Sequence, residues 1–463
     1  MRPFPFLLAP AAILLAAHLG HSGVLWEGDS LPLAAAQVLK QGAVLYRDVW
    51  FDKPPLVAWI YLLWGAVPGW PLRLAGAVYS LLACWLAGAT ASRLWTPREG
   101  YIAALLMAFF LTFDIHSAVV PLTADMLLLG PHLAAVYFCA RRRAFWCGVA
   151  AGAGFFCNAK ALFVVAACAA LLWPSALNLV NLAGGFLLPC VMGAAWLTGT
   201  GAWTGYLDQV WRWPALYAAS PMVADPVRNG MIRTLNWLGF HAVLVVGGVL
   251  WWRERAPHRW RLLLWLALAY AGVVLGGRFF PRYFFLLLPP LVIMAARGLA
   301  TVRSRALLLV ATIALAVPLI RFAPRYVSLA GWSDLAMDND SRAAAQLIRM
   351  RAQPGATLYV WGYRPEIFVY AQLIPATRYL DNQAMTGVPA DRHLTQTTAV
   401  MTAGTAEARA ELARSHPDFI ADGLSLYNPA LSMDHYGELQ PWLAGYREVG
   451  RTHGTVIYAR YNP

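Results

Sequence analysis

Lysine is almost missing from this 463-residue chain. Of its thirty-six basic side chains only three are Lys, at Lys40, Lys53 and Lys160. Where either cation would serve, the sequence uses Arg. A retained Lys marks either chance, the reading for Lys40, or a place that needs a compact ammonium rather than a planar fork. Charge of both signs is scarce, at 13% of residues against 59% hydrophobic. That excludes an ordinary soluble domain, and most of the chain is matched to a bilayer. Cysteine is sparse too. Cys84, Cys139, Cys147, Cys157, Cys168 and Cys190 all lie in apolar segments, which excludes a disulfide framework and a CxxC metal site. There is no Walker loop, no GxGxxG after a strand and no HExxH, and no internal repeat.

What is present is aromatic, apolar and basic. Trp and Tyr are abundant, as expected of residues that settle at bilayer interfaces. The net charge is +13, yet the region 322–463 carries twelve Arg against thirteen acidic residues. The positive excess therefore belongs to the apolar part. It points to membrane topology and anionic headgroups, and away from nucleic acid.

Arg2 followed by an apolar run reads either as a signal peptide or as an uncleaved first span. The span is preferred, because no small-x-small cleavage site precedes the acidic stretch that follows. Eleven spans are expected near 4–20, 72–92, 100–113, 121–139, 144–159, 161–173, 177–198, 236–252, 262–277, 284–299 and 305–321. The basic loops around Arg141 and Arg253 fix the cytoplasmic side. Glu27 to Lys53 then falls outside only if 54–70 does not cross, so that segment is read as interfacial. The pair at 144–173 reads as two spans, with one long span as the alternative. The expected fold is thus a polytopic α-helical membrane domain over 1–321. A small extracytoplasmic α/β domain of about 140 residues follows over 322–463, with helices expected at 341–351, 364–372 and 406–413 and strands at 357–361, 419–421 and 454–461.

The charged stretch 27–56 follows the first span. Asp29 or Glu27, at the mouth of an apolar region, suits a general base acting on a hydroxyl. Asp29 equally suits the N-cap of an amphipathic helix over 30–41 ended by Gly42. Lys53 precedes Pro54 and Pro55, which hold its backbone. It reads as a phosphate ligand or as a snorkelling interfacial Lys. Asp48 lies in the same loop. Lys160 interrupts an apolar stretch, where a charge is functional by default. Asp125 opens a span from the outer side, as a cap or as part of the site. Arg278, Arg282 and Tyr283 offer anion donors at an outer span end, or form an interface belt. His21 and His116 read as structural.

The run YRDVWFDKPPL, an acid before a short amphipathic helix, the intramembrane Lys and RFFPRYFFLLLPPL occur in that order. Together they resemble the GT-C superfamily glycosyltransferases, and within it relatives of the bacterial protein O-mannosyltransferases and lipid A aminoarabinose transferases. The resemblance spans about residues 1–320. It implies a multi-span fold with interfacial helices in the first outer loop. It also implies inverting transfer of a sugar from a polyprenyl-phosphate carrier to an extracytoplasmic glycan, lipid or protein acceptor. The first-loop acid would be the base, Asp29 with Glu27 as alternate. Lys53, Arg278 and Tyr283 would lie near the donor phosphate, with Asp48, Asp125 and Lys160 as further substrate-binding residues. The chain departs from the family in having Glu27-Gly28-Asp29 where adjacent Asp-Glu is common, and Phe51-Asp52 where Asp-His is common.

The implied scheme needs no cofactor, and it leaves room for a divalent cation between carboxylate and phosphate. The expected location is the inner, plasma membrane, multi-pass. Two alternatives from other classes are a lipid-linked sugar flippase or transporter and a polysaccharide polymerase or ligase. A transporter predicts charges through the mid-membrane and repeat symmetry. Here the charges crowd at one face.

Overall fold

The computed structural model describes residues 7–219, 225–255, 259–328, 332–388 and 396–461. Arg2 lies outside them. Each of the eleven apolar stretches carries helix. Among the described residues three helical runs are long and apolar enough to cross a membrane: Trp70–Leu94, Ala176–Gly199 and Arg305–Val327. The stretch at 236–252, expected as one span, is a pair of helices, Pro226–Phe240 and Ala242–Arg253, bent by 83°. The pair counts as a fourth span only if taken together. The bend is at His241. Its ring stacks on Trp237 and Phe110, and its Nδ1 bonds the Trp237 carbonyl at 2.8 Å, closing the first helix.

Local chemistry accounts for the helix starts. Thr96 accepts from the Arg98 amide and donates to the Glu99 carboxylate, opening Pro97–Phe110. Thr123 and Ser175 do the same for Ala124–Ala140 and Ala176–Gly199 by accepting from amides of the first turn. The segment 144–173 is two helices, Ala144–Phe155 and Ala161–Leu172, parted by a tight turn. The segment after Lys53 is too short to cross: helix Leu56–Trp59 and a 3₁₀ turn Ile60–Trp64 end at Gly65 in the left-handed region. Arg297 bridges Glu99 (2.6 Å) and Glu254 (2.9 Å), joining three helix ends expected on one side. Leu177, Val180, Val191 and Ile320 remain more than 60% exposed, as expected of a surface meant for lipid rather than water.

Among the described residues the sheet lies after the apolar part, apart from an isolated bridge between Leu45 and Val49. Five strands, β1 Thr357–Trp361, β2 Ile374–Pro375, β3 Phe419–Asp422, β4 Tyr446–Arg451 and β5 Val456–Arg460, are ordered β2-β1-β3-β5-β4. The first three are parallel, and β5 and β4 add an antiparallel hairpin at one edge. Strands β2 and β4 were not expected. The helix before β1 is Ser333–Arg349, longer than the expected 341–351. Its Asp340 and Ser341 hold the fully buried Arg364, whose Nη2 lies 3.0 Å from Asp340 Oδ2.

Candidate active site

Helix Glu27–Leu39 begins one residue after Trp26, its N-cap, so Asp29 sits inside the first turn and does not cap it. Asp29 is fully buried and fully engaged. Arg73 Nη2 lies 2.8 Å from one carboxylate oxygen, while the other accepts from the Tyr61 hydroxyl (2.7 Å) and the Leu122 amide (2.9 Å). Arg73 is itself buried and also donates to the Val24 carbonyl. Asp29 therefore ties the first loop to helix Trp70–Leu94 and to the segment before Ala124. Gly28 allows that closeness, because a Cβ there would meet Thr123 Cγ2 at 2.4 Å and Pro121 Cβ at 3.1 Å. The glycine between the two acids thus has a packing reason.

Glu27 is half-buried at the helix N-terminus, and its carboxylate makes no hydrogen bond or ion pair among the described residues. It lies within electrostatic reach of Arg282 and Tyr363. The two acids of the first turn are physically different: one is locked, the other open.

Lys53 Nζ contacts both oxygens of Asp52, at 2.8 and 2.7 Å. The loop behind it is held by Gln209, on the π-helical turn Leu207–Arg212, which accepts from the Phe51 amide and donates to the Tyr46 carbonyl. The Tyr46 hydroxyl in turn donates to the Lys53 carbonyl (2.7 Å). The ammonium's origin is thus fixed by more than the two prolines. Asp48 is engaged within its own turn. Arg47 pairs with it and the Val44 amide donates to it, which together hold its carboxyl below the usual range. Its side chain is 38% exposed and organises a surface turn.

Asp125, Lys160 and Tyr283 come together from three elements. Lys160 Nζ lies 3.0 Å from Asp125 Oδ1 and 3.1 Å above the centre of the Tyr283 ring. Asn158 Nδ2 donates to the same Asp125 oxygen, and Arg282 Nε stands 3.9 Å from the other. Arg278 is buried at the start of this segment, and Arg282 lies close to Asp125 and within electrostatic reach of Glu27.

The C-terminal domain completes the cluster. Tyr363, after β1, is buried with Asp52, Glu27 and Asp381 around it, so its hydroxyl is raised well above its ordinary range. Burial pushes the Asp381 carboxyl up to about 7, with Asp52 adding to the shift and Gln383 donating against it. The Trp50 amide donates to the Arg378 carbonyl at 2.8 Å, joining the two chain regions directly. Sequence reasoning did not single out Tyr363 or Asp381. Both lie in a polar domain where an acid or a tyrosine is unremarkable. Asp52 was visible beside Lys53 but carried no separate signal. Together the site offers one unpaired carboxylate, three cations already close to acids, and a buried phenol, at one end of an apolar helical body.

No family model matches the sequence, and no curated protein matches it. Solved structures do. ArnT from Cupriavidus metallidurans bound to undecaprenyl phosphate superposes with a TM-score of 0.64 at 18% identity, covering 98% of this chain and 97% of that one. The same protein in the apo state gives 0.61 at 17%, with the same coverage. The apo oligosaccharyltransferase of Archaeoglobus fulgidus gives 0.50 at 13%, over 99% of this chain and 74% of that one. At these identities the likeness is one of fold, and it runs through the C-terminal domain as well as the helices. The chain has the fold seen in ArnT from Cupriavidus metallidurans.

Proposed function

We propose that this protein is an inverting glycosyltransferase of the plasma membrane, with Glu27 as its base. It takes a sugar from a polyprenyl-phosphate carrier and passes it to a glycan, lipid or protein acceptor on the extracytoplasmic side. In this reading residues 1–321 cross the membrane eleven times and 322–463 form an extracytoplasmic domain. The observation that carries the assignment is the contrast between the two acids. Asp29 is saturated by Arg73, Tyr61 and the Leu122 amide, while Glu27 has open lone pairs beside Arg282. Undecaprenyl phosphate in the ArnT structure supports a polyprenyl-phosphate donor.

The chemistry follows from the arrangement. A lipid phosphate leaves well once its charge is met, and Lys53, Lys160 and Arg282 are the cations within the cluster. Each now faces an acid, so an arriving phosphate exchanges with Asp52 or Asp125 rather than meeting bare cations. Glu27 takes the proton of the acceptor hydroxyl as that oxygen attacks the anomeric carbon from the face opposite the phosphate. No covalent enzyme intermediate forms, and the configuration inverts. Asp29 positions Glu27 by holding the start of its helix.

Transfer from a polyprenyl-phosphate sugar by the purified chain tests this. Glu27→Gln is expected to lose about 100-fold or more in rate with its melting temperature unchanged. Asp29→Asn is expected to melt lower, because it leaves Arg73 buried without its counter-charge, an effect of roughly 3–5 kcal/mol. Full transfer by Glu27→Gln would sink the assignment. Tags placed at Gly69 and after Phe322 should both be extracytoplasmic.

A further inference from the structure

At the end of helix Arg305–Phe322, far along the chain from the acids of the first loop, two arginines stand four residues apart on one helical run, Arg321 and Arg325. Neither makes an ion pair among the described residues, and each adds to the positive potential felt by the other. Like charges at this spacing repel, so the arrangement is unfavourable unless an anion answers it. Arg325 is held in place over the Trp332 ring at 4.6 Å. Beside the pair lies a groove of about 610 Å³ whose remaining walls are Phe240, Val317, Ile320 and Pro324. Phe240 comes from the bent helix pair and packs on Phe322, so the groove lies between two elements. Val317 and Ile320 are 47% and 73% exposed.

A site with an apolar trough and, at its rim, two guanidiniums without an acidic partner among the described residues matches one chemistry, a phosphate carried on a hydrocarbon chain. We propose that this groove binds a single anionic glycerophospholipid. Its phosphodiester would be taken by Arg321 and Arg325 and one acyl chain laid along Phe240, Val317 and Ile320. Guanidinium forks match phosphate oxygens, and the helix end places them where an apolar run of this length gives way to headgroups. The groove shares no residue with the transfer site, so the inference stands whether or not the chain transfers sugar.

The test is native mass spectrometry of the full chain in detergent, titrated with phosphatidylglycerol or with phosphatidylcholine of the same acyl chains. The wild type should retain one phosphatidylglycerol at a concentration about tenfold below that needed for phosphatidylcholine. Arg321→Gln with Arg325→Gln should abolish the preference. Ile320→Trp, which fills the trough and keeps both charges, should lower occupancy without exchanging the headgroup preference. Millimolar inorganic phosphate should not displace the lipid. Equal retention of the two lipids by the wild type, a preference that survives in the double variant, or displacement by free phosphate would each overturn the proposal. All three substituted side chains are at least partly exposed, and unchanged melting curves establish that the variants are folded.

Discussion

Asp381 and Asp29 are both buried aspartates, and their neighbours give them different consequences. Asp29 is met by a guanidinium, a phenol and an amide. Asp381 is met by Gln383, with Asp52 close enough to oppose its ionisation and Lys53 to favour it. Its folded carboxyl titrates near 7, against about 3.9 when unfolded. Between those values the folded state keeps a proton that the unfolded state has released. The stabilisation is therefore complete below about pH 4, and it declines by about 1.4 kcal/mol per unit as pH rises towards 7. Asp381→Asn cannot ionise, so the melting temperature of the variant relative to wild type should climb from pH 4 to pH 7. A gap independent of pH would show that Asp381 does not titrate there. The sequence made Lys53, Asp125 and Lys160 conspicuous because a charge in apolar surroundings is rare. It could not separate Glu27 from Asp29, since the guanidinium that distinguishes them is 44 residues further on.

At the scale of elements, apolar runs and their basic ends located the helices, because twenty or so lipid-matched residues leave little else for a backbone to do. What was not legible follows from tertiary contact. The bend at His241 has no proline to announce it and arises from stacking against Trp237 and Phe110. Strand β2 is two residues long, and β4, reading Tyr-Arg-Glu-Val-Gly-Arg, lies at an exposed edge without a clean apolar alternation. Helix contacts show the same dependence. Ala144–Phe155 and Ala176–Gly199 approach through Gly148 and Gly185, where an added Cβ would meet the Leu182 carbonyl oxygen at 2.1 Å and the Phe145 carbonyl oxygen at 2.0 Å. Backbone cannot step aside as a side chain does. Gly185→Ala is therefore expected to force the helices apart and to lower stability by about 1–3 kcal/mol, read as a drop in melting temperature in detergent. Gly184→Ala, one residue away with nothing within 4 Å of the added atom, is the matched control and should be nearly silent.

For the whole molecule, the decisive contact is between the first loop and the C-terminal domain. Trp50 is 6% exposed and belongs to the core of that domain, among Tyr359, Trp361, Tyr379 and Met385, while its other face meets Trp213 edge-on at 5.3 Å. Its amide bond to Arg378 continues the same junction. Arg342 donates to the Gly23 carbonyl and Asp338 accepts from the Leu25 amide, so helix Ser333–Arg349 grips the chain just before Glu27. Tyr326, whose hydroxyl donates to the Thr112 carbonyl, packs on His21 and His116. These two histidines are thus part of the seam. The domain is fastened on both sides of Glu27 and three residues before Lys53, and it brings Tyr363 and Asp381 to them. Its attachment should then matter for transfer as well as for stability. Trp50→Ala removes a buried anchor worth roughly 3–5 kcal/mol without touching a charged group of the site. The expected result is earlier proteolytic release of the region after Phe322, together with reduced transfer. Trp50→Phe, which keeps a ring in the pocket, should recover most of both. Faster proteolysis with transfer unchanged would mean that the domain stabilises the membrane part without contributing to its chemistry.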